Sequence, residues 1–234
     1  MLITSLFFAY AFHALHYEWN WMVLYEYRQK FWHGWRVTLL MSFASLLASM
    51  CLGFLLAAAQ RSPLIIMRQC GRMIVEIIRG TPLLVQILIF FYVVADAFGL
   101  QNRYIAGVFI LALFSGAYIS EIIRAGIESI GQSQIESARS LGFTTYQMYR
   151  YIIMPQVLRR ILPPLTGQFA SLIKDSSLLS VIAISEFTLN AQEVNAFTFS
   201  TLESYLPLAL GYLALTLPIS LWSRQLEKRF AYAT

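Results

Sequence analysis

Lys174 and Asp175 stand side by side, followed by Ser176 and Ser177, within an otherwise apolar segment. Adjacent opposite charges at membrane depth are costly unless they border a wet cavity or meet a bonded partner. An ammonium, a carboxylate and two hydroxyls could hold the carboxylate and ammonium groups of a small zwitterion, so these four residues are candidates for a translocation path. The competing reading is a structural ion pair buried between helices. The tetrad Glu-Ile-Ile-Arg occurs twice, from Glu76 to Arg79 and from Glu121 to Arg124. Glutamate and arginine three apart share a helix face and are expected to pair, either as part of the path or as an anchor for a helix end. The first copy runs into Gly80, Thr81 and Pro82, where a capping threonine and a proline should break the helix and restart it. Glu76, Arg79 and Thr81 therefore join the path candidates.

The elements that position these groups must be membrane spans. Of the 234 residues, 58% are apolar and only 12% charged, too little polar material to cover a water-soluble globule of this size. The apolar residues fall in blocks near the roughly 20 residues that a helix needs to cross a bilayer. Five blocks are expected to span: Trp35 to Ala59, Ile74 to Phe98, Tyr104 to Ala125, Ile161 to Ile184, and Tyr205 to Leu226. The second should carry a hinge near its inner end, and the fourth should be kinked at Pro163 and Pro164, where it leaves the preceding insert. Ser45, Ser49, Gly53 and Ala57 in the first span, and Ala112, Gly116 and Ser120 in the third, form small-residue stripes suited to close packing within the bundle or, alternatively, to a dimer seam.

Arginines and lysines cluster after the first span, after the third, and at the chain end. The connection from Ser185 to Ser204 holds three glutamates and no basic residue. The basic ends are expected to be cytoplasmic, which places the N-terminus outside and the C-terminus inside. The net charge of +5 is explained by this topology, and no nucleic-acid partner is implied. Residues 1–34 read as an extracytoplasmic or interfacial segment, apolar from Met1 to Ala14 and then rich in tryptophan and tyrosine, which prefer the headgroup region. Residues 35–229 form the transmembrane domain. His13, His16 and His33 share that N-terminal region but lack the spacing of a metal site, and neither a metal nor a cofactor is expected. Cys51 in a span and Cys70 in a cytoplasmic loop are not expected to form a disulfide.

Between the third and fourth spans lies a polar, basic insert of about residues 126–160. Ser133 and Glu136 have the spacing of a capping box, and Gly142 supplies a stop. Ile135, Ala138 and Leu141 are expected to share one apolar face. Thr144 and Gln147 offer a second capping box, for a helix that must end or kink near Pro155. Two short helices across the mouth of the bundle would show an apolar face to the cytoplasm, and such a face wants a partner.

Glu136-Ser137-Ala138, Gly142, Ile152 and Pro155 reproduce the spacing of the EAA motif, E-A-A, three residues, G, nine residues, I-x-L-P, with Ser137 and Met154 as departures. The chain thus resembles the permease subunits of ATP-binding-cassette importers. "EIIRGTPLLVQ", from Glu76 to Gln86, and "LPPLTGQFASLIKDSSLLSVIAISE", from Leu162 to Glu186, are similar to segments of the polar amino-acid branch of that family. The likeness runs from about Phe31 to Phe230. It implies an all-α type I importer permease of about five transmembrane helices in a bacterial inner membrane, surrounded by lipid. It further implies a second permease subunit, identical or related, two cytoplasmic ATPase subunits, and an external binding protein that delivers a polar amino acid. Ser133, Ile135, Glu136, Ser137, Ala138, Leu141 and Gly142 would then form the coupling helix that docks on the ATPase. No G-x-x-x-x-G-K-[ST] loop occurs, so the chain is expected to borrow its motor rather than act as an enzyme. The alternative is an ion-driven amino-acid carrier acting as a dimer.

Overall fold

The structure, a computed structural model, describes Tyr10 and residues 17–231. The rest of the apolar N-terminal stretch, with His13 and His16, lies outside the described residues. A short α1 (Met22–Glu26) leads into α2 (Arg28–Gln60), then α3 (Ile65–Gly80) and α4 (Leu83–Ile89), which continues as a π-helical turn, Phe90–Ala95. Next come α5 (Arg103–Glu128), α6 (Gln132–Ser140) and α7 (Thr145–Met148), the last passing through a π turn, Tyr149–Ile153, into α8 (Met154–Asp175). A 3-10 segment, Ser176–Ile182, then α9 (Phe187–Thr198) and α10 (Thr201–Ala231) complete the bundle.

Among the described residues three helices, α2, α5 and α10, are long and apolar enough to cross a membrane, and α3 with α4 forms a pair bent by 109°. The direction of packing shows what the bent pair does. On α2 and α5, Ser45 meets Val108 at 3.5 Å and Gln60 meets Ser120 at 3.2 Å, so the two helices run parallel. The chain must therefore return across the bilayer between them, and only α3 and α4 are there to do it. The expected single span with a hinge is instead two helices set at a steep angle. The expected break at Gly80, Thr81 and Pro82 is present, but Thr81 does not cap α4. Its hydroxyl donates to the Ile77 carbonyl at 2.8 Å, and Gln86 closes the bend by donating to the Ile78 carbonyl at 2.7 Å and to the Thr81 hydroxyl at 2.8 Å.

The fifth crossing is α8. It contains Arg159, Arg160, Lys174 and Asp175, and its neighbours rather than its composition place it in the bundle. Gln168 reaches Ser115 of α5 at 3.3 Å, and Ile161 packs beside Gly126, so α8 runs antiparallel to α5. At Pro163 and Pro164, where a kink is expected, α8 continues as one helix through both prolines. The Pro163 carbonyl accepts from Thr166 at 2.7 Å and from Ser223 of α10 at 3.0 Å, side-chain support that lets prolines persist in a membrane helix. One end of the bundle thus carries Arg28, Arg103 and the 185–204 connection, and the other carries Gln60, the insert and the end of α10.

The small-residue stripes face each other. Ser45, Ser49, Gly53, Ala57, Ala112, Gly116 and Ser120 are all buried. A Cβ on Gly53 would lie 2.5 Å from Ile119 Cγ2, and one on Gly116 would lie 3.1 Å from Leu52 Cβ. The stripes make an internal seam, so the dimer-seam alternative is set aside for these residues. Gly53→Leu should overpack this seam and cost about 1–3 kcal/mol. Gly167→Ala, at a position where a Cβ would have no neighbour within 4 Å, should leave stability unchanged or slightly raised. Thermal unfolding of the solubilised protein compares them, and equal midpoints would show that the seam is not tight.

Candidate coupling surface and polar path

The insert begins where α5 ends. Arg124 pairs with Glu121 at 2.9 Å and with Glu128 at 2.6 Å, while Arg160 donates to the Ser129 carbonyl, so both arms of the insert are tied to the bundle. The N-cap of α6 is Gly131, with no side-chain cap, so the expected capping box of Ser133 and Glu136 is absent. A start two residues earlier leaves Ser133 inside the helix, where its hydroxyl is no longer at the cap position. Gly142 does terminate the helix, at φ +79°. The Gly142 N–H donates to the Arg139 carbonyl at 2.9 Å and that of Phe143 to the Ala138 carbonyl at 3.1 Å, a Schellman closure. The second capping box is present, with Thr144 and Gln147 bonded reciprocally. Its helix does not end at Pro155, however. That proline lies in the first turn of α8, directly after the π turn that joins α8 to α7.

Of the expected face of Ile135, Ala138 and Leu141, Ala138 and Leu141 line one groove but differ in exposure. Ala138 is buried and Ile135 half-buried against a core of Ile130, Met148, Ile153 and Val157, whereas Leu141 is 77% exposed. Leu141, Phe143, Tyr146, Tyr149, Tyr151 and Met154 are the large apolar and aromatic side chains left exposed from the end of α6 to the start of α8. Most of this set escaped the sequence reading, because periodicity counted over α6 alone does not include the turn and the π segment. Beside it, Ser133, Gln134, Ser137, Leu141, Ile152 and Gln156 line a groove of about 450 Å³. Glu136 and Ser137 are exposed on the same short helix.

At the same end of the bundle, a polar cavity of about 250 Å³ opens between α2, α3 and α5, lined by Gln60, Arg72, Glu76, Arg79, Glu121 and Arg124. The two Glu-Ile-Ile-Arg tetrads meet here. The second pairs internally as expected, but Arg79 bonds Glu121 at 3.0 Å across the helix boundary instead of Glu76. The cause is packing: Val75 and Ile78 bury against Ala117, which brings Arg79 opposite Glu121 one turn further along α5. Gln60, Arg72, Glu121 and Arg124 were not among the sequence candidates for this site, although the repeated tetrad was a signal for two of them. Thr81 lies beyond the cavity, at the bend.

Lys174 to Ser177 occupy a different depth. Ser176 is buried, with its hydroxyl 3.5 Å from that of Ser42, midway along α2. Ser176 and Ser177 also donate to the Ile173 and Lys174 carbonyls at 2.8 and 2.6 Å. Lys174 is exposed, Asp175 is half-buried, and neither forms an ion pair among the described residues. The buried ion pair is therefore not what holds them. Here α8 tightens into the 3-10 segment, which turns at Ala183 (φ +56°) into α9. The carboxylate that organises this turn, Glu186, is fully buried and was not singled out in the sequence. It caps α9 through the N–H groups of Thr188 and Leu189, both at 2.8 Å, and accepts from Tyr212 of α10 at 3.0 Å.

Residues 49–232 match the family model of binding-protein-dependent transport system inner membrane components. A probable glutamine ABC transporter permease of Bacillus subtilis is 36% identical over 210 residues, covering 90% of this chain and 97% of that protein. A glutamine transport system permease of Escherichia coli is 34% identical over 214 residues, covering 91% and 98%. The crystal structure of an amino acid ABC transporter with histidines superposes with a TM-score of 0.83 at 34% identity, over 91% of this chain and 100% of that one. An inward-facing MetNI methionine ABC transporter shares the fold, with a TM-score of 0.64 at 18% identity. These relatives set aside the ion-driven carrier and any enzymatic reading of the chain. The match over most of the chain, together with a shared all-α fold, makes this chain a member of the family of binding-protein-dependent transport system inner membrane components.

Proposed function

We propose that the chain is the permease subunit of an ATP-driven importer of polar amino acids, forming the translocation path and receiving force from a separate cytoplasmic ATPase through its insert. The observation that carries this reading is the capped α6 with its exposed apolar and aromatic margin at one mouth of the bundle. Such a margin suits a protein groove rather than water. The relatives named for glutamine support the substrate class, and glutamine is the first amino acid to test. An external binding protein and a second permease subunit, identical or related, complete the assembly.

The geometry suggests how force would reach the path. From Thr145 to Ile182 the backbone is helical without a break, and its α8 portion of 22 residues spans about 33 Å at 1.5 Å per residue. A displacement of the insert would be transmitted along this rod to Lys174, Asp175, Ser176 and Ser177. Glu76, Arg79 and Thr81 would line the path closer to the insert, where Arg79 and Glu121 bridge α3 and α5. The charges of Glu76, Arg79, Lys174 and Asp175 balance, which suits a zwitterion.

Gly142→Asp should retain the protein in the membrane while abolishing ATPase assembly or stimulation. Nothing lies within 4 Å of a Cβ there, so the cost is confined to a left-handed backbone, about 1–3 kcal/mol on a surface turn. Normal coupled transport by this variant would remove the coupling role.

Orientation is tested in a background lacking Cys51 and Cys70. A cysteine at Phe197 should react with an impermeant thiol reagent from outside the cell, and one at Ser133 should not. The reverse pattern would invert the topology and rule out an ATPase contact at the insert.

Lys174→Met and Asp175→Asn should each reduce uptake per folded complex in reconstituted vesicles by tenfold or more, a loss of about 1.4 kcal/mol in transition-state stabilisation. Unchanged uptake by both variants, after correction for assembly, would place the path elsewhere.

A further inference from the structure

We infer that the Arg28 end of the bundle holds an anionic phospholipid, with one acyl chain in a groove between α2 and α10 and its phosphate on Arg28. The groove measures about 350 Å³. Phe31 and Phe187 form its floor, edge to face at 6.3 Å and both buried. Trp32 and Trp35, stacked at 5.3 Å, form one wall, and Pro207 of α10 contributes to the lining opposite. Arg28 is the one charged residue among those that line it.

Arg28 is held in place without being neutralised. Its Nη1 donates to the Tyr25 carbonyl at 2.6 Å, and its guanidinium carbon lies 4.3 Å from the centre of the Tyr25 ring. Among the described residues it forms no ion pair, whereas Lys30, half a turn away, is bonded to Glu193 at 2.6 Å. A fixed cation without a counter-charge beside an aromatic, apolar slot is complementary to an amphiphile with an anionic head. Trp19, Trp21, Trp32 and Trp35 cluster at this end, and tryptophan marks the depth of the headgroups. The molecules that meet a groove at that depth are phospholipids, which combine an acyl chain for the slot with a phosphate for the guanidinium.

The test uses the complete complex, purified in detergent and offered equal amounts of phosphatidylglycerol and phosphatidylcholine with identical chains. Native mass spectrometry counts the lipids retained. The wild type should retain phosphatidylglycerol about fivefold over phosphatidylcholine, the factor that one basic residue contributes beside an anionic surface. Arg28→Gln should bring the ratio close to one, and Arg61→Gln, at the opposite end of the bundle, should leave it unchanged. Glycerophosphoglycerol, the same headgroup without chains, should not compete. Equal retention of the two lipids by the wild type, a preference that survives Arg28→Gln, or competition by the chain-free headgroup would overturn the inference. So would retention seen only after removal of residues 1–16, which would make the chain's own first residues the occupant. Absence of any retained lipid on the assembled complex would assign the groove to another subunit and likewise overturn it.

Discussion

The close parallel contact of α2 with α5 is the constraint from which the remaining topology follows. Glycine and serine on both helices let the backbones approach until a single added methyl group at Gly53 would collide with Ile119. Lipid offers no hydrophobic driving force between helices, so such fit, rather than burial from water, holds a membrane bundle together. Because the two helices run in the same direction, the intervening chain has to recross the bilayer. That requirement turns the bent α3 and α4 pair into a crossing. It also brings the arginine at the end of α3 to the glutamate of α5.

Within this frame, polar groups are held by partners from other helices. Gln86 closes the broken backbone at the α3–α4 bend, and Ser223 supports the Pro163 carbonyl. Glu186 caps α9 while bonding Tyr212 of α10. In a medium without water each unpaired backbone group is costly, so irregular backbone survives only where side chains close it. The irregular segments, at Thr81, at the π turns and at Ala183, flank the candidate path. Breaks in regular helix mark the places where a bundle can change shape at the least loss of hydrogen bonding.

One helical course joins the insert to the candidate path. The reciprocal cap of Thr144 and Gln147 starts a helical course that continues past Pro155 and both internal prolines to the 3-10 segment. The Arg79, Glu121, Arg124 and Glu128 chain lies beside the root of that course and ties α3 to α5 at the same mouth. A partner pulling on the insert would therefore act on a continuous helical course, with the Tyr149–Ile153 π turn as its flexible joint, next to an ionic tie. Ion pairs of this kind, partly exposed, are weak enough to exchange during a transport cycle.

The sequence by itself determined the all-helical membrane class, five crossings, the break at Gly80 to Pro82, the Gly142 stop and the Thr144 cap. These features depend on apolar length, on proline and glycine backbone limits, and on side chains reaching their own backbone within a few residues. It was also enough for the family resemblance, which rests on motif spacing. Only the tertiary structure decided that Arg79 meets Glu121 rather than Glu76, that Leu141 is exposed while Ile135 and Ala138 pack inward, and that α8 stays helical through Pro163 and Pro164. It likewise decided that Ser133 is not the N-cap of α6 and that Glu186 organises the turn beside the candidate path. Each of these outcomes depends on a partner or a packing surface beyond the local window. Helix periodicity specifies which side chains share a face, but not which neighbouring helix that face will meet.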